Sequence, residues 1–112
     1  MYVPSKIGEQ CNTVGVHLNF SPVVDINTNP KNPIIGNRSF GESKENVANK
    51  AISYMNGLQS KNILSTAKHF PGHGDTSKDS HKTLPIIKHK RKRILTSKLE
   101  TFRDVITKNK KC

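Results

Sequence analysis

The sequence predicts an α/β fold with parallel strands, because two segments of strand-like pattern flank one segment of helical pattern. Residues 14–25, VGVHLNFSPVVD, alternate apolar residues with smaller or polar ones, which is the period of a strand. Residues 44–60 have helical spacing, and residues 63–70 form a short apolar run typical of a buried strand. Strand, helix and strand in this order predict a βαβ unit, whose strands are parallel with a right-handed crossover.

The elements before the crossover are a short helix and the first strand. A helix is predicted over residues 4–13 because apolar residues recur at i, i+4 and i+7, namely Ile7, Cys11 and Val14. The alternating residues of the strand are Val14, Val16, Leu18 and Phe20. Pro22 is expected near the end of the strand, since proline cannot donate to a strand ladder. A loop rich in Asn, Pro and Gly then leads to the second helix.

Two further helices are predicted from apolar spacing and capping residues. The crossover helix has Ser43 as its expected N-cap, and its apolar face consists of Val47, Ala51, Tyr54, Met55 and Leu58. Near the C-terminus, Ser97 and Glu100 have the spacing of a capping box, which predicts a final helix beginning there. The expected apolar face of that helix contains Leu99, Phe102 and Ile106.

Composition and charge limit the classes of protein to consider. With 112 residues, 32% of them hydrophobic and none of them Trp, the chain can form one small domain with a modest core. The formal net charge is +11, and residues 82–112 hold 11 of the 19 Lys and Arg side chains. They include KHKRKR, residues 88–93, which has no interleaved aromatic side chains for base stacking. Such runs are usually solvated, so the sequence does not favour a nucleic-acid partner.

The sequence predicts a cytoplasmic protein without a membrane partner. Its first 20 residues lack the apolar core of a signal peptide. No stretch approaches the roughly 18 apolar residues of a membrane span. The two cysteines, Cys11 and Cys112, do not form a disulfide framework and are expected to be free thiols.

Polar and charged residues follow both predicted strands at the point where each strand ends. In parallel α/β folds these strand ends share one face, which holds the active site. Six residues from segments far apart in the sequence are therefore expected to surround one pocket. Asp25 and Arg38 follow the first strand, and Lys68, His69, Asp79 and His81 follow the second.

The second strand leads into KHFPGHGDTSKDSH, residues 68–81, which holds three of the five histidines. One interpretation is a metal site, whose candidate ligands are His69, His73, Asp75, Asp79 and His81. Two features disfavour it. Pro71, Gly72 and Gly74 break the helix on which a His-x3-His pair would share a face, and Lys68 adds a positive charge beside the cation.

Two other interpretations of this loop stay open at this point. His81 is suited to general acid/base catalysis, with Asp79 on one ring nitrogen to fix the tautomer and stabilise the imidazolium. The ordinary pKa of histidine, about 6.5, suits that task near neutral pH. Alternatively, these are loop residues with local hydrogen bonds, and Arg38 is an arginine that pins its own loop. The convergence of Arg38, Lys68 and His69 on the same strand ends favours the catalytic interpretation.

Two segments resemble family 3 glycoside hydrolases. They are NFSPVVDINTNPKNPIIGNRSFG, residues 19–41, and AKHFPGHGDTSKDSHKTLP, residues 67–85. More narrowly, the sequence is similar to the bacterial β-N-acetylglucosaminidase (β-N-acetylhexosaminidase) branch, since Asp-Ser-His after Lys-His-Phe-Pro-Gly-His-Gly separates that branch from members with a Glu acid/base. The resemblance covers about residues 5–87, and the match beyond residue 87 is weaker.

The resemblance implies a (β/α)8 barrel and a retaining exo-hydrolase that removes terminal β-linked N-acetylglucosamine. It implies that His81 is the proton donor and acceptor, that Asp79 is its partner in a catalytic dyad, and that Asp25 has a positional role. The residues implied to bind the sugar are Arg38, Lys68 and His69. Implied substrates are muropeptides of cell-wall turnover or chito-oligosaccharides. His73 is expected to be structural, and neither a metal nor an organic cofactor is implied.

The chain differs from the family in length. A complete barrel typically needs about 250 residues, so 112 residues are expected to supply two or three of the eight βα units. Residues 1–87 are interpreted as a partial catalytic barrel, and residues 88–112 as a basic segment and helix that continue it. No residue matches the aspartate nucleophile of the family, and Asp104 falls within the final predicted helix. We therefore expect a fragment that is inactive alone, with a sugar-binding remnant or a basic nucleic-acid module as alternatives.

Overall fold

The computed structural model of the chain describes residues 2–76, 82–84, 86 and 89–109. Helices dominate these residues, and two short strands lie between them. In chain order the elements are α1 (Tyr2–Thr13), β1 (Leu18–Asn19), a 3-10 turn (Gly36–Arg38), α2 (Lys44–Gln59), β2 (Leu64–Ser65), α3 (Arg91–Arg93), a π-helical segment (Ile94–Lys98) and α4 (Leu99–Lys108). No helix among the described residues is long and apolar enough to cross a membrane.

The two strands pair in parallel, which confirms the predicted α/β class. Leu18 lies opposite Leu64 in the register, and Val23 forms an isolated parallel bridge with Lys68. Regular pairing is shorter than predicted because Pro22, which has no amide donor, interrupts the first strand. The pairing resumes beyond it, where the Val24 amide donates to the Lys68 carbonyl at 2.7 Å. The two segments of the chain therefore stay side by side up to the strand ends.

The core lies between these strand ends and the helices. Helix α2 is central and packs against both α1 and α4. We call residues 18–25, which are β1 and its continuation past Pro22, the first strand segment. Six buried residues from this segment, α2 and α4 form one cluster: Val24, Val47, Ala51, Met55, Phe102 and Val105. Helix α2 confirms the predicted helix, and Ser43 is its N-cap residue, although its side chain makes no capping hydrogen bond. The alternating apolar residues of the first predicted strand lie outside the core, with Val14 74%, Leu18 43% and Phe20 64% exposed.

The prediction for the final helix was wrong in its start and, at Ile106, in its buried face. The helical segment begins at Arg91, so Ser97 lies inside it and does not cap it. Glu100 is not available for a capping box, because its carboxylate pairs with Lys44 of α2 at 2.6 Å. Phe102 faces the core as predicted, together with Val105, while Ile106 is 60% exposed.

Truncating Val105 and Ile106 tests the observed face of α4. We expect Val105→Ala to lower the free energy of unfolding by about 2 kcal/mol, since it removes buried methyl groups and leaves a cavity. Ile106→Ala, which removes more side chain from an exposed site, should change it by less than about 0.5 kcal/mol. Chemical denaturation of both variants gives the comparison. A larger loss for Ile106→Ala would contradict the observed orientation.

Candidate active site

The carboxylate of Asp25 joins the ends of the two strands. Its side chain is fully buried at the end of the first strand segment. The Oδ2 atom accepts from the backbone amide of His69 at 3.1 Å and lies 2.7 Å from His69 Nδ1. The Oδ1 atom accepts from the backbone amide of His73. Three donors therefore satisfy this buried carboxylate, as the burial of a polar group requires.

Glycines allow the turn that follows the second strand to lie against the first. A Cβ atom on Gly74 would lie 1.9 Å from the carbonyl oxygen of Ile26, so only glycine fits there. Gly72 has a φ of 134°, which side chains other than hydrogen rarely adopt. The peptide bonds Lys68–His69 and Phe70–Pro71 are cis. The turn thus places the His69 and His73 amides within reach of Asp25.

The loop that leaves the first strand is hydrogen-bonded to the same turn. Asn32 is buried, and its Nδ2 atom donates to the carbonyl of His73 at 2.6 Å. Its Oδ1 atom accepts from the amides of Ile34 and Ile35. The hydroxyl of Ser39 donates to the backbone carbonyl of Asp25 at 2.6 Å. Both loops are therefore fixed around one strand end.

The structure brings some of the predicted site residues together and leaves others apart. His69 contacts Asp25 directly, and its ring remains 36% exposed. Lys68 pairs with the first strand segment through its backbone. Arg38 ends the 3-10 turn with an exposed side chain, and its Nη1 atom donates to the Ile34 carbonyl at 3.2 Å. The predicted residues Asp79 and His81 lie outside the described residues.

His73 faces into the turn. Its Nδ1 atom lies 2.8 Å from the hydroxyl of Thr76, which is buried. The rings of His69 and His73 meet edge-on, with centroids 6.3 Å apart. Within the described part of the chain, no three His, Cys, Asp or Glu side chains are grouped to hold a metal ion. The ring of His73 therefore contacts residues of its own turn, His69 and Thr76.

Sequence analysis missed a second charged cluster, formed by Asp75, Lys98 and His89. The Nζ atom of Lys98 lies 2.6 Å from Oδ1 of Asp75, and Nε2 of His89 lies 2.7 Å from Oδ2. Burial favours the protonated acid, but the ion pair with Lys98 and the hydrogen bond from His89 outweigh it, so the pKa of Asp75 lies below its ordinary value. The three residues are separated by at least nine positions along the chain, and no local pattern in the sequence links them.

A small cavity separates the turn from the C-terminal helical segment. Its volume is about 40 Å³, and its lining includes Asp25, Gly74, Asp75, Lys98 and Phe102. Sites for small molecules typically measure about 300 Å³ or more, whereas a single water needs far less. A ligand of that size therefore does not fit in this cavity. The exposed edge of the His69 ring is instead accessible to a ligand.

Comparisons with known proteins agree with this arrangement. The chain matches the N-terminal domain of glycosyl hydrolase family 3 over residues 2–112. It belongs to glycoside hydrolase family 3. This membership confirms the resemblance drawn from the two sequence segments.

Individual members of the family are similar over most of the chain. β-Hexosaminidase A of Pseudoalteromonas piscicida is 42% identical over 104 residues, which are 93% of this chain and 17% of that protein. A solved β-N-acetylglucosaminidase of family 3 from a Paenibacillus species superposes with a TM-score of 0.90 and 43% identity, over 94% of this chain and 20% of that one. LpqI of Mycobacterium tuberculosis superposes with a TM-score of 0.85 and 34% identity, over 93% of this chain and 30% of that one. The chain thus spans between about a sixth and a third of the length of these relatives.

Substituting Gly74 tests the close approach of the turn to the first strand. We expect Gly74→Ala to lower the free energy of unfolding by about 3 kcal/mol, because its methyl group meets backbone that must move. Gly15→Ala is the matched control. Gly15 has a positive φ, of 74°, and open space surrounds its Cβ position. Gly15→Ala should lower the free energy of unfolding by only about 1 kcal/mol, the cost of placing alanine at a positive φ. Equal losses in thermal or chemical denaturation would contradict the observed contact.

The depressed pKa of Asp75 predicts a pH-dependent contribution to stability. Folding favours the ionised form, so this contribution is present above the ordinary pKa of about 3.8 and is lost as the pH falls through the lower, folded value. At pH 7 we expect Asp75→Asn to lower the free energy of unfolding by about 2 kcal/mol, the typical loss for a hydrogen bond to a charged group. Below pH 4 the difference from the wild type should shrink. A difference that stays constant from pH 7 to pH 3 would contradict this assignment.

Proposed function

We propose that the chain carries the acid/base and sugar-binding part of a retaining β-N-acetylglucosaminidase. The observation that carries this proposal is the attachment of the His69–His73 turn to the buried Asp25 at the end of a parallel strand. Strand ends of this kind hold the active sites of α/β barrels. In this proposal residues 1–87 and 88–112 both belong to one (β/α)8 barrel, of which the chain supplies two or three βα units.

His81 is the proposed proton donor and acceptor, and Asp79 its partner. In the first step a carboxylate nucleophile, for which this chain offers no assigned residue, bonds to the anomeric carbon. The imidazolium of His81 gives its proton to the glycosidic oxygen as the bond from that oxygen to the sugar breaks. In the second step neutral His81 takes a proton from the water that attacks the anomeric carbon, and the carboxylate is released. Asp79 fixes the imidazole tautomer and stabilises its charged form.

Arg38, Lys68 and His69 are the proposed sugar-binding residues. Lys68 and Arg38 supply cationic donors to hydroxyl or carbonyl oxygens. His69 has its Nδ1 atom on Asp25, so Nε2 is left at the exposed edge of the ring. Asp25 itself is buried, and both its oxygens are engaged with the turn. Its role is therefore positional, and it does not reach the sugar.

The proposed substrate is a glycan with a terminal, non-reducing β-linked N-acetylglucosamine. Fragments of cell-wall turnover and chito-oligosaccharides both meet this description. The names of the relatives, β-hexosaminidase and β-N-acetylglucosaminidase, support this class of sugar. The proposed reaction needs no metal and no organic cofactor.

A chimera supplies the nucleophile that the test of this proposal needs. Residues 1–112 replace the matched segment of the Pseudoalteromonas piscicida relative, and hydrolysis of an aryl β-N-acetylglucosaminide is measured. We expect the chimera to be active and His81→Ala to lower kcat by about 10²- to 10⁴-fold, the usual contribution of a general acid/base. His17→Ala is the matched control, since His17 is exposed and precedes the strand end. An inactive chimera, or full activity in His81→Ala, would contradict the proposal.

Sugar binding by the 112-residue chain is a separate test. We expect N-acetylglucosamine to perturb the NMR signals of His69 and Lys68, and Lys68→Ala to weaken the binding by about tenfold or more, as for loss of a charged hydrogen-bond donor. Lys31→Ala, at an exposed position in the first loop, is the control. Binding by the chain without hydrolysis in the chimera would favour a sugar-binding remnant. Equal affinity in the Lys68 and Lys31 variants would remove Lys68 from the site.

A further inference from the structure

The cluster of Asp75, Lys98 and His89 lies where the segment that carries the proposed general acid/base begins and ends. Asp75 comes directly after Gly74 of the turn, and His89 lies two residues before the start of the C-terminal helical segment at Arg91. Their side chains meet at 2.7 Å, although residues 76–88 separate them in the chain. The proposed dyad, Asp79 and His81, lies within these residues. The two ends of this stretch are therefore joined to each other by a side-chain hydrogen bond.

Lys98 attaches this cluster to the C-terminal helical segment. Its Nζ atom pairs with Asp75 at 2.6 Å and donates to the Gly72 carbonyl at 3.4 Å. The side chains of Lys98 and Asp75 are only 9% and 12% exposed. A pair so sheltered from water is weakly screened, and removing one partner leaves the other charge uncompensated. This ion pair is consequently a firm attachment, unlike the exposed pairs elsewhere on the chain.

The cluster is also attached to the end of the first strand segment. Gly74, which precedes Asp75, lies against the backbone of Ile26. His73 donates its amide to Asp25. Asp75 is thus held on one side by the first strand, through these neighbours, and on the other by the helix, through Lys98. The cavity between them is too small for a sugar, so Asp75 does not itself contact the substrate.

We propose that Asp75, held by Lys98 and His89, is a positioning residue for proton transfer by His81. This inference rests on the proposed function, since it assigns the acid/base to His81. Proton transfer to a glycosidic oxygen requires hydrogen-bond distance and alignment, and a misplacement of about 1 Å can cost about 10²-fold in rate. The cluster fixes Asp75 and His89, the two described residues between which His81 lies in the sequence. It acts on the catalytic step and leaves the sugar-binding residues in place.

His89 is the most informative position to change, because its side chain is 24% exposed and its loss should not prevent folding. In the chimera described above, His89→Ala should lower kcat about tenfold and change KM by less than about twofold, because the acid/base is misplaced while sugar contacts persist. His89→Gln, which retains an N–H donor for Asp75, should recover most of kcat. Asp75→Asn, which keeps the size of the side chain but removes its charge, should reproduce the loss of kcat.

Glu100→Gln is the matched control. Glu100 also ties the C-terminal helix to the rest of the fold through an ion pair of 2.6 Å, but its partner, Lys44, belongs to α2 and not to the turn. Its kcat and KM should stay within about twofold of the unsubstituted chimera. Thermal denaturation of every variant verifies that the folded fraction is equal at the assay temperature.

The outcomes separate this inference from the proposed function. If His81→Ala abolishes activity while His89→Ala keeps full kcat, the proposed function stands and the positioning role is overturned. A rise in KM at constant kcat for His89→Ala would also overturn it. If His81→Ala keeps full activity, the proposed function fails and the inference fails with it. A loss of kcat in His89→Ala that His89→Gln restores, with Glu100→Gln unaffected, supports it.

Discussion

The buried carboxylate of Asp25 is the interaction on which the rest of this structure depends. A carboxylate removed from water is strongly unfavourable unless donors surround it. Here the amides of His69 and His73 and the ring of His69 supply those donors. All of them come from the chain after the second strand, so the carboxylate fixes that chain against the end of the first. The hydrophobic core positions the strands and helices, whereas the hydrogen bonds of Asp25 hold the turn where it leaves the second strand.

Two sets of contacts extend from this point and give the turn its two distinct sides. Asn32 and Ser39 attach the first loop around Asp25, and with it the short turn that ends at Arg38. On the other side, Asp75 and Lys98 attach the turn to the C-terminal helical segment. The helix side encloses only a cavity of about 40 Å³, whereas the edge of the His69 ring on the other side is exposed. The turn is thus held on its helix side and has donors on its open side. This arrangement suits the proposed site, which must place a sugar and a proton donor together.

The sequence predicted the class of fold and the residues at the strand ends better than it predicted the packing. Periodicity identified α2 and the parallel strands, because both patterns are local. The start of the last helix was wrong, because Glu100 pairs with Lys44 of a distant helix and not with its own N-terminus. The cluster of Asp75, Lys98 and His89 was missed for a related reason: the contacts join residues 14 and 23 positions apart in the chain. Asp25 and His69 were placed near each other by the rule that parallel strands end on one face, but their direct contact depends on the turn geometry of Gly72 and Gly74.

Amide hydrogen exchange at His69 and His73 is the most direct measurement of the role of Asp25. The account predicts slow exchange of both amides in the wild-type chain, at rates close to those of core amides in α2, because their hydrogen bonds are buried. In Asp25→Asn, which keeps the shape of the side chain but replaces one acceptor with a donor, both amides should exchange faster while those of α2 remain protected. Rapid exchange of these two amides in the wild-type chain, or unchanged protection in Asp25→Asn, would contradict the claim that this carboxylate holds the turn.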